Sequence, residues 1–432
     1  MLSRRGLLRS GAAAGLLGRV ELARAASSSP PEFLVVVFAN GGWDVTFAMD
    51  PKPADDRVDG PWVDATQNPD DVEELRVING IPVQCNDLKR KSVTSFFETW
   101  GDQTAVINGI WTGSIVHQPS RIRMLTGTAS AEEPDFASIT GASKGVSVDL
   151  PLGTIDFSGL GYAGQFAAKT GRIGYSSQFK SLLDPTAAFG APPDADYSLP
   201  VWLPDVSQEA AVHQHLLARV AKLRKVYGDG GHNDQLLDDM IESYARRERL
   251  LENAELIAGR LPIGVAPSLD LQADVAVDLL AGGVCHTITL ADMQESWDTH
   301  DSNTLQHDNY QALFTSVNRL LDALRTRGIL ERTLVVVMSE MTRTPKRNWK
   351  GGKDHWAHTS QLWIGSGVKG GTVVGGTDEY VESLPVDLAT GEVRPDGQLN
   401  KYDNLVAGLV AHLGVDPEPY FPGVVPFRGA SV

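Results

Sequence analysis

A chain of 432 residues with a formal net charge of −16 can bury a large core, as one large domain or two smaller ones. Such acidity argues against nucleic acid and anionic membranes as partners, since both need basic surface, and it favours cations. The two cysteines, Cys85 and Cys285, are too few for a thiolate-rich zinc site; one disulfide and two buried thiols both stay open.

The first 25 residues read MLSRRGLLRSGAAAGLLGRVELARA. A basic start, a small-residue apolar middle and an A-x-A ending at Ala23-Arg24-Ala25 follow the order of a signal peptide. The Arg4-Arg5 pair marks the twin-arginine variant. A membrane span needs about 20 apolar residues, and the stretch between Arg9 and Arg19 is too short and too rich in glycine. The blander reading is an amphipathic N-terminal helix. We expect residues 1–25 to be a twin-arginine leader, with a periplasmic or otherwise exported product and one domain over 26–432.

The apolar run FLVVVF (Phe33–Phe38) suits a buried parallel strand, as do Ala105–Ile107, HTITL (His286–Leu290) and LVVVM (Leu334–Met338). Residues 51–75 and 126–160 are rich in Pro, Gly and Asp and read as long loops. Residues 208–261 hold two helical patterns split at Gly228-Asp229-Gly230-Gly231, a helical layer or insert on the same domain. From Asn309 to Ile329 the apolar residues recur at spacings of three and four, and Gly328 ends the pattern. Helix followed by strand is the grammar of an α/β fold with a mainly parallel sheet. No stretch after the leader is long and apolar enough to span a bilayer.

Ligands of open α/β sheets bind at the carboxyl ends of strands, so the residues after each run matter most. FLVVVF is followed by ANGGWD, with Asn40 and Asp44. HTITL is followed by Asp298, His300 and His307. LVVVM is followed by Ser339, Glu340 and Arg343, then by GGKDHWAHTS with Asp354, His355 and His358. Carboxylates with imidazoles suit zinc, manganese or iron, and carboxylates alone suit magnesium or calcium. Asp298 and His300 alternate along an extended segment, so both can face one ion. Taken singly, Asp44, Asp298 and Asp354 could be turn or helix caps, and Glu340 could pair with Arg343 or Arg347. His286 reads as a core residue, and His213, His215 and His232 as solvated. In SIVHQPSRIRMLTG a polar turn opens a helix, where backbone N–H groups favour anions. Ser120 is there a candidate nucleophile and Arg121 an anion clamp; a Ser cap with a surface Arg is the alternative.

The twin-arginine leader, VVVFANGGWD, WDTH, VVVMSEMTRTP, GGKDHW, GVKGGTVVGGTDE and NLVAGLVAHLGVD occur in that order over nearly the whole chain. Together they resemble the family designated domain of unknown function 1501, exported proteins related to the alkaline phosphatase and sulfatase superfamily. The resemblance implies an alkaline-phosphatase-like α/β fold, a central mainly parallel sheet with helices on both faces. It also implies a divalent ion (zinc, manganese, magnesium or calcium) held by Asp44, Asp298 with His300, Glu340, and His355 beside Asp354. His358 is a weaker candidate. Sulfatases open a helix with a C/S-x-P-S-R turn, and here His117 stands at the nucleophile position. The implied activity is metal-dependent hydrolysis of phosphate or sulfate esters, with Ser120 or His117 attacking and Arg121 neutralising the transferred group. The alternative is a non-catalytic exported binding or assembly protein that keeps the metal-organised fold.

Overall fold

The computed structural model describes residues 29–53, 55–63, 66–146, 150–173, 206–253, 260, 267–292 and 297–432; the expected leader lies outside them. In chain order the strands and helices are β1 (Phe33–Ala39), β2 (Glu74–Ile78), β3 (Ile81–Cys85), α1 (Lys91–Trp100), β4 (Thr104–Trp111), α2 (His117–Thr126), α3 (Phe136–Ser143), β5 (Thr154–Asp156), β6 (Thr170–Arg172), α4 (Val206–Tyr227) and α5 (His232–Glu252). They continue with α6 (Leu269–Ala281), β7 (Thr287–Asp292), α7 (Gln306–Thr326), β8 (Thr333–Met338), β9 (Thr342–Arg343), β10 (His355–Trp356), β11 (His358–Gly365), β12 (Thr372–Gly375), β13 (Asn400–Lys401) and α8 (Tyr402–His412).

The central sheet runs β12-β4-β11-β8-β1-β7-β5-β6, with β13 also on β4. Its pairings are parallel except for the two made by β11, which is antiparallel to β4 and β8. β1 shows why the apolar run works: all seven residues are buried, and successive side chains leave on opposite faces. Val35 and Val37 enter a core with Val93, Phe96 and Phe97 of α1, Val275 of α6 and Leu313 of α7. Leu34, Val36 and Phe38 enter a second core with Met124 of α2, Ile139 of α3 and Leu405 of α8. Helices therefore cover both faces of a mainly parallel sheet. Among the described residues no helix is long and apolar enough to cross a membrane.

The stretch 126–160, read as loop, contains regular structure. α3 starts where the Asp135 side chain accepts the Ser138 N–H, and β5 is three residues long, ordered by pairing with β7. Both are too short to show a period. α4 and α5 pack on each other, with Leu250 reaching the first core. Cys85 and Cys285 are buried and unpaired.

His307, second in α7, points into the first core rather than to the strand ends. Arg90 Nη1 lies 2.7 Å from its Nδ1. Arginine can only donate, so Nδ1 accepts and Nε2–H donates to Trp62 O at 3.1 Å. Burial first, and the Arg90 charge second, push its pKa down to about 3. The folded imidazole is thus neutral while the unfolded one gains a proton near pH 6.5. Its stabilising contribution is complete above that pH and is lost as pH falls toward 3. His307→Gln keeps an acceptor for Arg90 and a donor for Trp62. Between pH 7 and 4.5 the wild type should lose roughly 2–3 kcal/mol more stability than this variant. Urea unfolding of both proteins at the two pH values checks this; equal losses would refute the assignment.

Candidate metal centre

The carboxyl ends of β1, β4, β7 and β8 share one edge of the sheet. Because β11 runs the other way, its start lies on that same edge, with His358 paired to Trp111 and Gln361 to Met338. The segment before β11 is thereby delivered to the strand ends, and the β9–β10 pairing sets His355 opposite Arg343. Gly41, just after β1, has φ +128°, and its N–H donates to both Glu340 oxygens at 2.9 and 3.1 Å. A side chain there would meet Asp298 N at 3.0 Å.

Three imidazoles converge on Asp298. His300 Nε2 and His355 Nε2 each lie 3.1 Å from its Oδ1, and His117 Nε2 lies 3.4 Å from its Oδ2. Each ring is held from behind through Nδ1: His117 by Glu340 Oε1 at 2.8 Å, His300 by Asp354 Oδ1 at 2.9 Å, His355 by Ile115 O at 2.7 Å. Such acceptors fix the proton on Nδ1 and turn the Nε2 lone pair toward the centre, the way ligating histidines are oriented. His300 Nε2 and His355 Nε2 then face each other at 2.9 Å. Two lone pairs at that distance require a proton or a cation between them. The His117 Nε2 is buried and makes no hydrogen bond. With metal–nitrogen bonds of about 2.0–2.1 Å, two ligand nitrogens on one ion stand roughly 3 Å apart, close to the His300–His355 separation, and His117, Asp298 and His355 offer ligand atoms that all lie within 4.8 Å of one another.

The electrostatics agree. Burial raises the Asp298 pKa, but its close contacts with His117, His355 and Arg343 outweigh it and hold the carboxyl far below the usual range. Contacts with Asp298 and Glu340 push His117 up to about 9; two carboxylates around one ring attract positive charge, whether proton or metal. Hydrogen bonds from Asn348 and His300 hold Asp354 below its ordinary value. Arg343, with its side chain fully buried, donates to Gly42 O at 2.7 Å, Trp297 O at 2.9 Å and Asp298 Oδ1 at 2.8 Å. It also bonds the Gly41 carbonyl, so one guanidinium ties three strand ends together.

Of the residues expected from sequence, Asp298, His300 and His355 come together, and His117 joins them. Glu340 and Asp354 stand behind the imidazoles. Asp44 is turned elsewhere: Oδ2 lies 2.8 Å from Lys353 Nζ and 2.8 Å from Asn303 Nδ2, and Oδ1 accepts the Thr46 hydroxyl at 2.7 Å and its N–H. It also caps a short 3-10 turn, Val45–Phe47. Burial raises the Asp44 pKa, Lys353 lowers it, and the net shift is downward. Ser120 is fully buried, its hydroxyl donating to Ser114 O at 3.0 Å. Arg121 Nη1 donates to Asn40 Oδ1 at 3.0 Å; it sits four residues after His117, on the same face of α2. His358 lies against Ser383 Oγ at 2.6 Å, and burial pushes it down to about 4. Sequence reasoning passed over Lys353; its only signal was a lone cation inside GGKDHW.

Among solved structures, the chain is similar to a putative sulfatase from Bacteroides thetaiotaomicron at 10% identity and TM-score 0.41, over 94% of this chain and 76% of that one. It is similar to PsFucS1 sulfatase from Pseudoalteromonas sp. at 10% and 0.39, over 93% and 73%. Phosphonate monoester hydrolase of Agrobacterium radiobacter overlaps at 11% and 0.34, over 91% and 78%. Overlap this partial assigns no chemistry to the chain. No curated protein matches it in sequence. Residues 277–422 match the family model described as protein of unknown function (DUF1501), so the segment carrying Asp298, His300, Glu340, Asp354 and His355 bears the family resemblance read from VVVMSEMTRTP and GGKDHW.

Proposed function

We propose that the chain is an exported metal-dependent hydrolase of phosphate or sulfate esters, its ion held by His117, Asp298, His300 and His355. The observation that carries this is the pair of Nε2 atoms facing each other at 2.9 Å beside a carboxylate. Three imidazoles and one carboxylate favour zinc, manganese or iron over magnesium or calcium, which prefer all-oxygen sets. When bound, such an ion polarises an ester oxygen and lowers the pKa of a bound water.

The protein's own groups have separate tasks. Glu340 and Asp354 hold the His117 and His300 rings in their working tautomers. Arg121, steadied by Asn40 at the end of β1, can hold the negative charge of a transferred phosphoryl or sulfuryl group beside the first turn of α2. Ser120 is enclosed, and His117 has its Nδ1 held by Glu340 and its Nε2 turned to the Asp298 side of the centre. We therefore read water, not either side chain, as the nucleophile. The enclosed Ser120 is also what favours the second reading, a non-catalytic binding or assembly protein with the same centre.

Elemental analysis of the mature protein, beside His300→Ala/His355→Ala, tests the centre. The wild type should carry stoichiometric metal and the double variant should lose it, with ester screens following. A wild type that stays metal-free after zinc, manganese, magnesium and calcium loading would sink the proposal. Metal without turnover on any phosphate or sulfate ester would favour the binding reading.

A further inference from the structure

We infer that the centre holds a single ion because the Lys353 ammonium permanently occupies the cation position that Asp44 would otherwise offer. This rests on the metal reading above and goes beyond it by fixing the stoichiometry and the residue that sets it. Asp44, Lys353 and Arg343 have essentially no side-chain exposure. The Asp44 carboxylate is saturated by Lys353, Asn303 and Thr46. A second ion bound there would have to displace a buried ammonium, leaving a positive charge with no counter-charge in reach.

The charge count agrees. The buried Asp44 and Glu340 and the part-exposed Asp298 face the fixed cations Arg343 and Lys353, three carboxylates against two cations, an excess that a second divalent ion would overshoot. The backbone holds Lys353 in place: its N–H donates to Thr299 O at 3.2 Å, between Asp298 and His300. Ligand segment and internal cation are thus one assembly. Asp44 keeps its place after β1 but serves as the lysine's counter-ion.

Native mass spectrometry on metal-free protein titrated with zinc, and separately with manganese, tests this. Wild type should saturate at about one ion per chain. Lys353→Ala, which frees Asp44, should take up a second. Asp44→Asn/Lys353→Met removes both charges and should still hold about one. Two ions in the wild type would overturn the inference and leave the metal reading standing. A folded Lys353→Ala that stops at one ion would overturn it too, as would loss of the ion in the double variant. If Lys353→Ala does not fold, the wild-type count and the double variant decide. No ion in the wild type would overturn the metal reading itself.

Discussion

Gly352→Ala is expected to collapse the centre from outside it. A β-carbon at residue 352 would stand 2.0 Å from the His300 carbonyl oxygen and 2.5 Å from that of Thr299. Both are backbone atoms that cannot swing aside, so the loop or the Asp298–His300 segment must move. Overpacking costs about 1–3 kcal/mol where side chains can yield, and here the cost should reach the top of that range or exceed it. Any shift carries His300 away from His355, so zinc affinity should fall at least about 100-fold, beyond the 10–100-fold typical of supporting residues. Gly351 is the internal control. Its φ is +84° but a β-carbon there meets nothing, so Gly351→Ala should cost about 1–2 kcal/mol of backbone strain and leave metal binding near wild type. Urea unfolding and zinc titration of the two variants check the contrast; equal metal affinities would refute it.

Arg343→Lys should be nearly as damaging as Arg343→Ala. The guanidinium of Arg343 fills a fork defined by the carbonyls of Gly41, Gly42 and Trp297 and by Asp298 Oδ1. An ammonium keeps the charge but is a point donor without the planar fork. It cannot reach all four acceptors, and each buried acceptor left empty costs about 1–3 kcal/mol. Because the Asp298 side chain is 43% exposed, losing its ion pair adds less than the roughly 3–5 kcal/mol of a fully buried pair. Both variants should lose on that order of stability, and metal affinity should drop because Asp298 is no longer steered toward the imidazoles. A lysine variant with wild-type stability and metal content would show that charge alone suffices.

The strands were legible because each run is apolar throughout and flanked by turn residues, so FLVVVF and LVVVM could only be buried on both faces. The carboxyl-edge location of the site followed from that, with Asp298, His300 and His355 among its candidates. Less visible were α3 and β5, too short for a period, and the antiparallel sense of β11, which depends on its neighbours. His307 carries the same residue type as His300 seven positions earlier, yet faces Arg90 in the core because α7 begins just before it.

What the sequence determined alone was the fold class, the edge at which chemistry-bearing residues gather, and an acidic chain rich in candidate ligands. Tertiary structure decided what each one does. Oxygen and nitrogen atoms ligate an ion only if no other partner has claimed them, and the claimants lie far along the chain. Glu340 reaches back 223 positions to orient His117, while Asp44 meets the Lys353 ammonium across the sheet edge. Local spacing carries no information about contacts at that separation; the order of strands in the sheet creates them.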